Sequence, residues 1–341
     1  MEKTDFCSYK NGDIARGCQL CVRGRKLVLF ITGICPRNCY FCPLSDDKFQ
    51  KDVIFANEKP IEDIKEIIEE SKLCSSQGCG ITGGDPLSKF ERTLEAIKLL
   101  KAEFKNYHIH LYTSLNLVDE NKLKQLEDVG LDEIRYHLDL EDDSLWEKVK
   151  IKTKMSKGIE IPVIPGINYE KIIDSVKDFL DFINLNELEY SDAENNKLEE
   201  KGFVTKDDYS YGIKGSEELA LELLEKYPNL NIHYCTCKLK DSIQLSNRLK
   251  LRAKNVKQDC DILNGETLIR GAIYGDDDLK TMQNNLSKHL KTIIDEKKNR
   301  LLCKRGDLRK KVKLIKKIGY TPVIVEDLAT YDFLEIESEE I

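Results

Sequence analysis

The sequence predicts an α/β fold: a partial (β/α)6 barrel with a small α+β unit appended at the C-terminus. Three observations predict it. Short apolar runs alternate with amphipathic stretches six times between Leu27 and Tyr190. Each parallel crossover needs its own helix, which this rhythm supplies. No Gly-x-Gly-x-x-Gly follows the first run, so the dinucleotide-binding form of the alternative, a doubly wound sheet, has no support.

The elements follow in order. Leu27–Thr32 is a continuous apolar run of strand length, expected to be buried on both faces. Pro60–Leu73 opens with proline and acids and repeats isoleucine at helical spacing. Gly78–Thr82 reads as a strand, Lys89–Phe104 as a helix and His108–Ser114 as a strand. Glu120–Val129 reads as a helix stopped by Gly130, and Glu133–Leu138 as a strand. Asp142–Lys157 reads as a helix, Ile159–Pro165 as a strand, Glu170–Ile183 as a helix and Leu185–Tyr190 as the sixth strand. Residues 191–215 are polar and read as a functional loop or lid, followed by a helix over Glu217–Tyr227. The organisation expected is a cysteine-containing segment (1–26), the barrel (27–263) and a C-terminal unit (265–341) with an acidic tail.

The 341 residues exceed one average domain, and 40% hydrophobic content supports a real core. No run approaches the ~18 apolar residues of a membrane span, and the N-terminus has no export-signal layout, so a soluble, cytoplasmic protein is expected. Twelve cysteines in such a chain point to metal ligation or redox chemistry rather than a disulfide framework.

The first strand runs directly into ICPRNCYFCPL, which places Cys35, Cys39 and Cys42 in a C-x3-C-x2-C pattern with Phe41 before the last cysteine. Three thiolates on one short loop suit an iron–sulfur cluster better than zinc, which takes four protein ligands in a structural site. A second segment, Thr82-Gly83-Gly84-Asp85-Pro86, ends the second strand with glycines that let the backbone approach a ligand.

This triad, in the loop after the first strand, resembles the radical S-adenosylmethionine superfamily, and the resemblance covers roughly residues 25–235 by element order. It implies that Cys35, Cys39 and Cys42 hold a four-iron four-sulfur cluster whose open iron binds the amino and carboxylate groups of S-adenosylmethionine. It also implies that Thr82–Pro86, a GGEP-like segment with Asp85 in place of glutamate, binds the methionine amino group. Ser114 beside Thr113, Arg135 and His137 stand where family members meet the cofactor carboxylate and ribose. Ile164, within IPVIPG, stands where they pack on adenine. Among subgroups the chain most resembles the compact activating enzymes of the pyruvate formate-lyase type. The implied activity is cleavage of S-adenosylmethionine to a 5′-deoxyadenosyl radical that abstracts hydrogen from an unidentified substrate. The implied electron donor is a protein such as ferredoxin or flavodoxin. No further catalytic residue is assigned.

Two more cysteine pairs, Cys18 with Cys21 and Cys235 with Cys237, flank the barrel and compose a second metal site, for zinc or an auxiliary iron–sulfur cluster, clasping its open edge. His233 and Cys7 are reserve ligands. Residues 238–317 carry 22 Lys and Arg against 10 acids, a net +12, and residues 318–341 carry seven acids and no base. That density suggests a phosphate-bearing partner, RNA included, or else the solvated face of helices paired with the acidic tail. Two alternatives therefore stand beside the main reading: a radical RNA- or tRNA-modifying enzyme, and a non-catalytic metal-stabilised RNA-binding protein.

Overall fold

A computed structural model describes residues 1–341 and divides the chain into two compact units, Met1–Lys72 with Ser76–Leu245, and Leu73–Ser75 with Ser246–Ile341. The first unit opens with β1 (Tyr9–Asn11), a six-residue helix α1 (Arg16–Cys21) and β2 (Lys26–Phe30). The winding continues with α2 (Glu66–Leu73), β3 (Gly78–Thr82), α3 (Phe90–Glu103), β4 (His108–Ser114), α4 (Glu120–Asp128) and β5 (Glu133–His137). It ends with β6 (Ser156–Val163), α5 (Tyr169–Val176), β7 (Phe182–Glu187), α6 (Ser216–Lys226) and β8 (Ile232–Cys235). Strands β2 to β8 form one parallel sheet in sequence order. Both edges are closed by antiparallel pairing, β1 on β8 and Phe55–Ala56 on β2.

The barrel thus has seven parallel strands rather than six, the seventh being the NIHYCTC region. Two further differences have local causes. Residues 142–157 hold only a short 3-10 turn at Trp146–Lys150. The carboxylates of Asp139 and Asp142 take the amides of Glu141, Asp142 and Ser144, which favours turns, while Ser156 N donates to Asp132 O at 2.9 Å and starts a strand. The sixth run pairs over 182–187 instead of 185–190, because Leu188 N is taken by Ser216 Oγ at 2.9 Å and Tyr190 N by Tyr211 O at 2.8 Å.

Alternation along the strands sets the two sides of the barrel. Leu29, Ile81, Leu111, Ile134, Ile161 and Leu185 are fully buried in the core beneath the helices. Their neighbours Val28, Gly80, His110, Arg135, Glu160 and Asn184 take the opposite, inward side, and four of them line an internal cavity. The first strand is therefore not buried on both faces: Val28 is 37% exposed, into that cavity. Helix α1 forms the barrel floor. Gly17 N donates to Glu133 at 3.0 Å, and a Cβ on Gly17 would sit 2.4 Å from both Arg135 Nη2 and His110 Nδ1.

The second unit starts at Ser246, not near residue 265, because α7 (Ser246–Val256) packs Ala253 onto Leu268 and Ala329. It continues with β9 (Ile262–Asn264), β10 (Thr267–Tyr274), α8 (Leu279–Leu286), β11 (Ile293–Asp295) and β12 (Arg300–Cys303). It ends with α9 (Arg305–Ile318), β13 (Thr321–Leu328) and β14 (Glu335–Glu340). The antiparallel order is β11-β12-β10-β13-β14, with β9 beside β10. The acidic tail is thus an edge strand, and it partly neutralises the basic helix: Arg309 lies 3.7 Å from Glu339 and Lys316 4.0 Å from Glu340. No helix of the chain is long and apolar enough to cross a membrane.

Two tests follow from these contacts. Gly17→Ala forces the floor helix off the barrel and is expected to lower stability in urea unfolding by about 1–3 kcal/mol. Asp52 ties the exit of β2 to α3 through Thr32 Oγ1 at 3.0 Å, Lys89 at 2.8 Å and Arg92 at 2.7 Å. Arg92 chiefly holds its carboxyl below the usual carboxylate range. As pH falls, the unfolded chain takes up this proton first, so the contribution is full above about pH 4 and fades below it. Asp52→Asn should therefore lose about 1 kcal/mol at neutral pH, and progressively less at pH 3, in the same unfolding assay.

Candidate active site

Cys35, Cys39 and Cys42 are partly exposed and line the mouth of one cavity of about 450 Å3 whose far end reaches Cys21, Lys26 and His110. The loop that carries them is closed by the returning chain. Gly33 N donates to Lys51 O at 2.7 Å, and Gln50 N donates to Gly33 O at 3.0 Å. The Gln50 side chain then clamps both main-chain groups of Cys35, at 3.3 and 3.0 Å. Arg37 fastens the loop to the end of β5 through His137 O and Leu138 O, both at 3.1 Å, and Asp139 at 2.9 Å. From the other side, residues 191–215 hold it: Lys197 N donates to Tyr40 O at 2.7 Å and Asn195 Nδ2 to Cys42 O at 3.1 Å.

Burial raises all three thiols, Cys35 to about 11, while the Arg37 amide pulls Cys35 back and the Arg37 charge pulls Cys39 back. Loading with metal must therefore release thiol protons. No three His, Cys, Asp or Glu side chains lie at the spacing of a single metal ion. Three soft donors converging on one cavity at wider spacing fit a sulfide-bridged cluster with one iron left open.

The glycine segment lies directly beside this loop. Gly84 N donates to Thr32 O at 2.7 Å and Asp85 N to Ile34 O at 2.9 Å, which carries the β2–β3 pairing past the strand ends. A Cβ on Gly83 would lie 2.4 Å from Thr32 O, and one on Gly84 2.5 Å from Gly33 O, so side chains are excluded. Thr82, Gly83 and Gly84 line the cavity.

Asp85 and Pro86, expected with them as cofactor contacts, are buried and lie outside the cavity lining. The Asp85 carboxylate is saturated: it accepts from Leu87 N at 3.0 Å, Thr113 Oγ1 at 2.8 Å, Ser114 N at 3.1 Å and Ser114 Oγ at 2.7 Å. Ser114 lines the cavity, with its hydroxyl proton committed to Asp85.

His137 also lines the cavity. Its Nδ1 lies 3.1 Å from Glu160 O and its ring 5.9 Å from Phe41. Burial and then the Arg37 charge lower it to about 4, so the imidazole is neutral at pH 7. With Nδ1–H donating to the carbonyl, Nε2 is an acceptor. Ile164 lies instead in an adjacent cavity of about 310 Å3, with Tyr40, Phe41, Asn116 and Ile167.

Arg135 departs from expectation. It is 2% exposed, donates to Glu133 and Glu160 at 2.6 Å each, and does not reach the cavity lining. Two neighbouring carboxylates hold its guanidinium at the floor.

The second cysteine group is only partly assembled. Cys18, Cys21 and Cys235 belong to the inward side, whereas Cys237 is fixed beside Glu187, whose carboxylate accepts its amide at 2.7 Å. The four-thiolate zinc arrangement is therefore not formed. Gln50, Arg37, Asn195 and Glu160 also belong to the site. Glu160 was signalled by a lone acid within the apolar run IEIPVIP. The Gln50 and Asn195 contacts cross 15 and 153 residues of chain and leave no local signature.

The family model for the radical SAM superfamily matches residues 29–157. A Methanocaldococcus jannaschii protein provisionally named a glycyl-radical enzyme activating enzyme is 45% identical over 293 residues, covering 81% of this chain and 78% of its own. Among solved structures, methylornithine synthase matches at 17% identity and a TM-score of 0.39, covering 62% of this chain and 67% of that one. The radical S-adenosylmethionine methyltransferase TsrM of Kitasatospora setae, with cobalamin and a [4Fe-4S] cluster bound, matches at 11% identity and a TM-score of 0.39 over 66% of this chain. This chain spans only 52% of its length. The chain belongs to the radical S-adenosylmethionine superfamily, as an iron–sulfur enzyme that reductively cleaves S-adenosylmethionine to a radical for hydrogen abstraction.

Proposed function

We propose that Cys35, Cys39 and Cys42 hold the [4Fe-4S] cluster and that the main chain of Thr82–Gly84 receives the methionine end of S-adenosylmethionine. In the same reading His137 Nε2 accepts from the ribose, and the cavity holding Ile164, Tyr40 and Phe41 takes the adenine. When bound, the cluster supplies the electron that cleaves the cofactor. One observation carries the reading: the three thiols, the two glycines and His137 line a single cavity.

The chain's own residues do the rest. Val28, Phe41, Leu44, Phe49 and Leu188 give the cavity apolar walls that exclude water from a radical. Glu160, Asn186 and Lys240 supply its polar side.

As substrate we propose a glycine within a partner polypeptide, the class of target in the name of the M. jannaschii relative. The segment joining β7 to α6 supports this, since it presents Val204, Tyr209 and Tyr211 at 60%, 98% and 62% exposure on the same stretch that fastens the cysteine loop. The electron donor in this reading is a small redox protein of the ferredoxin or flavodoxin kind. In this reading the basic residues Arg309 and Lys316 of α9 serve the acids of β14.

After anaerobic reconstitution and reduction, the wild type is expected to form 5′-deoxyadenosine and the Cys35→Ala, Cys39→Ala, Cys42→Ala variant to form none above background; equal formation by both would overturn the ligand assignment. Asp85→Ala, which strips four donors of their acceptor, should raise the KM for S-adenosylmethionine and cost about 2–3 kcal/mol in thermal unfolding. An unchanged KM would show that the brace does not position the glycines.

A further inference from the structure

The cysteines outside the mouth divide by environment. Cys79, Cys260 and Cys303 pack into apolar clusters, the ordinary place for a buried thiol. Cys21 and Cys235 face the polar interior of the barrel, and Cys18 stands at its border, packed against Ala15 and Phe182 on one side and Asn184 on the other. Cys18 Sγ accepts from Asn184 Nδ2 at 3.4 Å, and the same amide donates to Glu160 at 2.9 Å. Cys21 lines the cavity beside Lys26 and His110. Cys235 pairs in register with Asn186, which lines that cavity, and follows inward His233 by two residues on β8.

His110 Nδ1, Asn184 Oδ1 and His233 Nδ1 have no hydrogen-bond partner, although these residues are only 1%, 1% and 2% exposed. Buried orphans of this kind mark where a ligand completes the network. Asn184, which contacts Cys18, pairs in register with His233 on β8, two residues before Cys235, and the cation Lys26 lines the cavity with Cys21.

We propose that Cys18, Cys21 and Cys235 bind a second iron–sulfur cluster at the floor of the barrel, beside the unpartnered Nδ1 of His110. Zinc is disfavoured because no three of these donors reach single-ion spacing, which a sulfide-bridged core does not require. Assembly takes up ferric and ferrous iron with sulfide and releases the three thiol protons, so that no oxidant is needed, and Arg135 and Lys26 offset the negative charge of the core. The floor site stands independently of the mouth assignment.

The test uses the full-length chain, reconstituted anaerobically with ferric and ferrous iron and sulfide. The Cys35→Ala, Cys39→Ala, Cys42→Ala variant should retain roughly two to four iron per chain with matching acid-labile sulfide. Adding Cys18→Ser, Cys21→Ser and Cys235→Ser should remove it, whereas adding Cys79→Ser instead should not. Because the serine variants could fail to fold, Mössbauer and electron paramagnetic resonance spectra of the wild type are read as well and should show two cluster species. A single species in the wild type, or a mouth variant that holds zinc or no metal, overturns the proposal.

Discussion

The site depends on one constraint: the parallel pairing of β2 and β3 does not stop where the strands stop. It runs on through Gly84 to Thr32 and Asp85 to Ile34, so the cysteine loop and the glycine segment leave the barrel side by side. Glycine is required because the neighbouring carbonyls stand where a Cβ would be. Asp85 then anchors the pair to β4 through Thr113 and Ser114. A buried carboxylate is costly unless fully hydrogen-bonded, and this one meets four donors. Its desolvation still raises its pKa, and the donors pull against that rise. The acidic side chain at this position fixes a backbone and does not reach the cavity.

The barrel interior follows a different rule from its exterior. Outside, aliphatic residues pack under helices; inside, Lys26, His108, Glu133, Arg135 and Glu160 form a chain of charge across neighbouring strands. His108 is lowered by burial, and with Nδ1 facing the Lys26 ammonium it presents its Nε2–H side to Glu133 at 3.4 Å. Burial lowers Lys26 itself to about 8. Such networks are weak evidence for stability but strongly specify geometry, since removing one member strands a buried charge.

Much of this was legible from sequence for a physical reason. The strands Gly78–Thr82 and His108–Ser114 were readable because apolar runs of that length, bounded by turn residues, have few other uses. The triad was readable because three thiols on one loop are chemically rare. What escaped lies in side-chain commitments across the fold. Nothing local says that Arg135 is spent on Glu133 and Glu160, that Asp85 turns away from the cavity, or that Asp139 and Asp142 convert an apparent helix into turns. The seventh strand was missed because four residues carry little periodicity, and its identity is fixed by β7 on one side and β1 on the other.

That last pairing governs how the molecule is made. Ser8 and His233, joined through Oγ and Nε2 at 3.1 Å, are 225 residues apart in the chain. A ribosome delivers β1 first and its sheet partner β8 only after the other parallel strands have emerged, so the N-terminal strand waits through almost the whole synthesis of the barrel. Contacts of such separation form late, after the nearer strand pairs have removed most of the loop entropy. The helix bearing Cys18 and Cys21 follows β1 directly, so the floor and the last edge of the sheet are sealed in one concluding event of folding. Until then the thiols of α1 remain open to solvent.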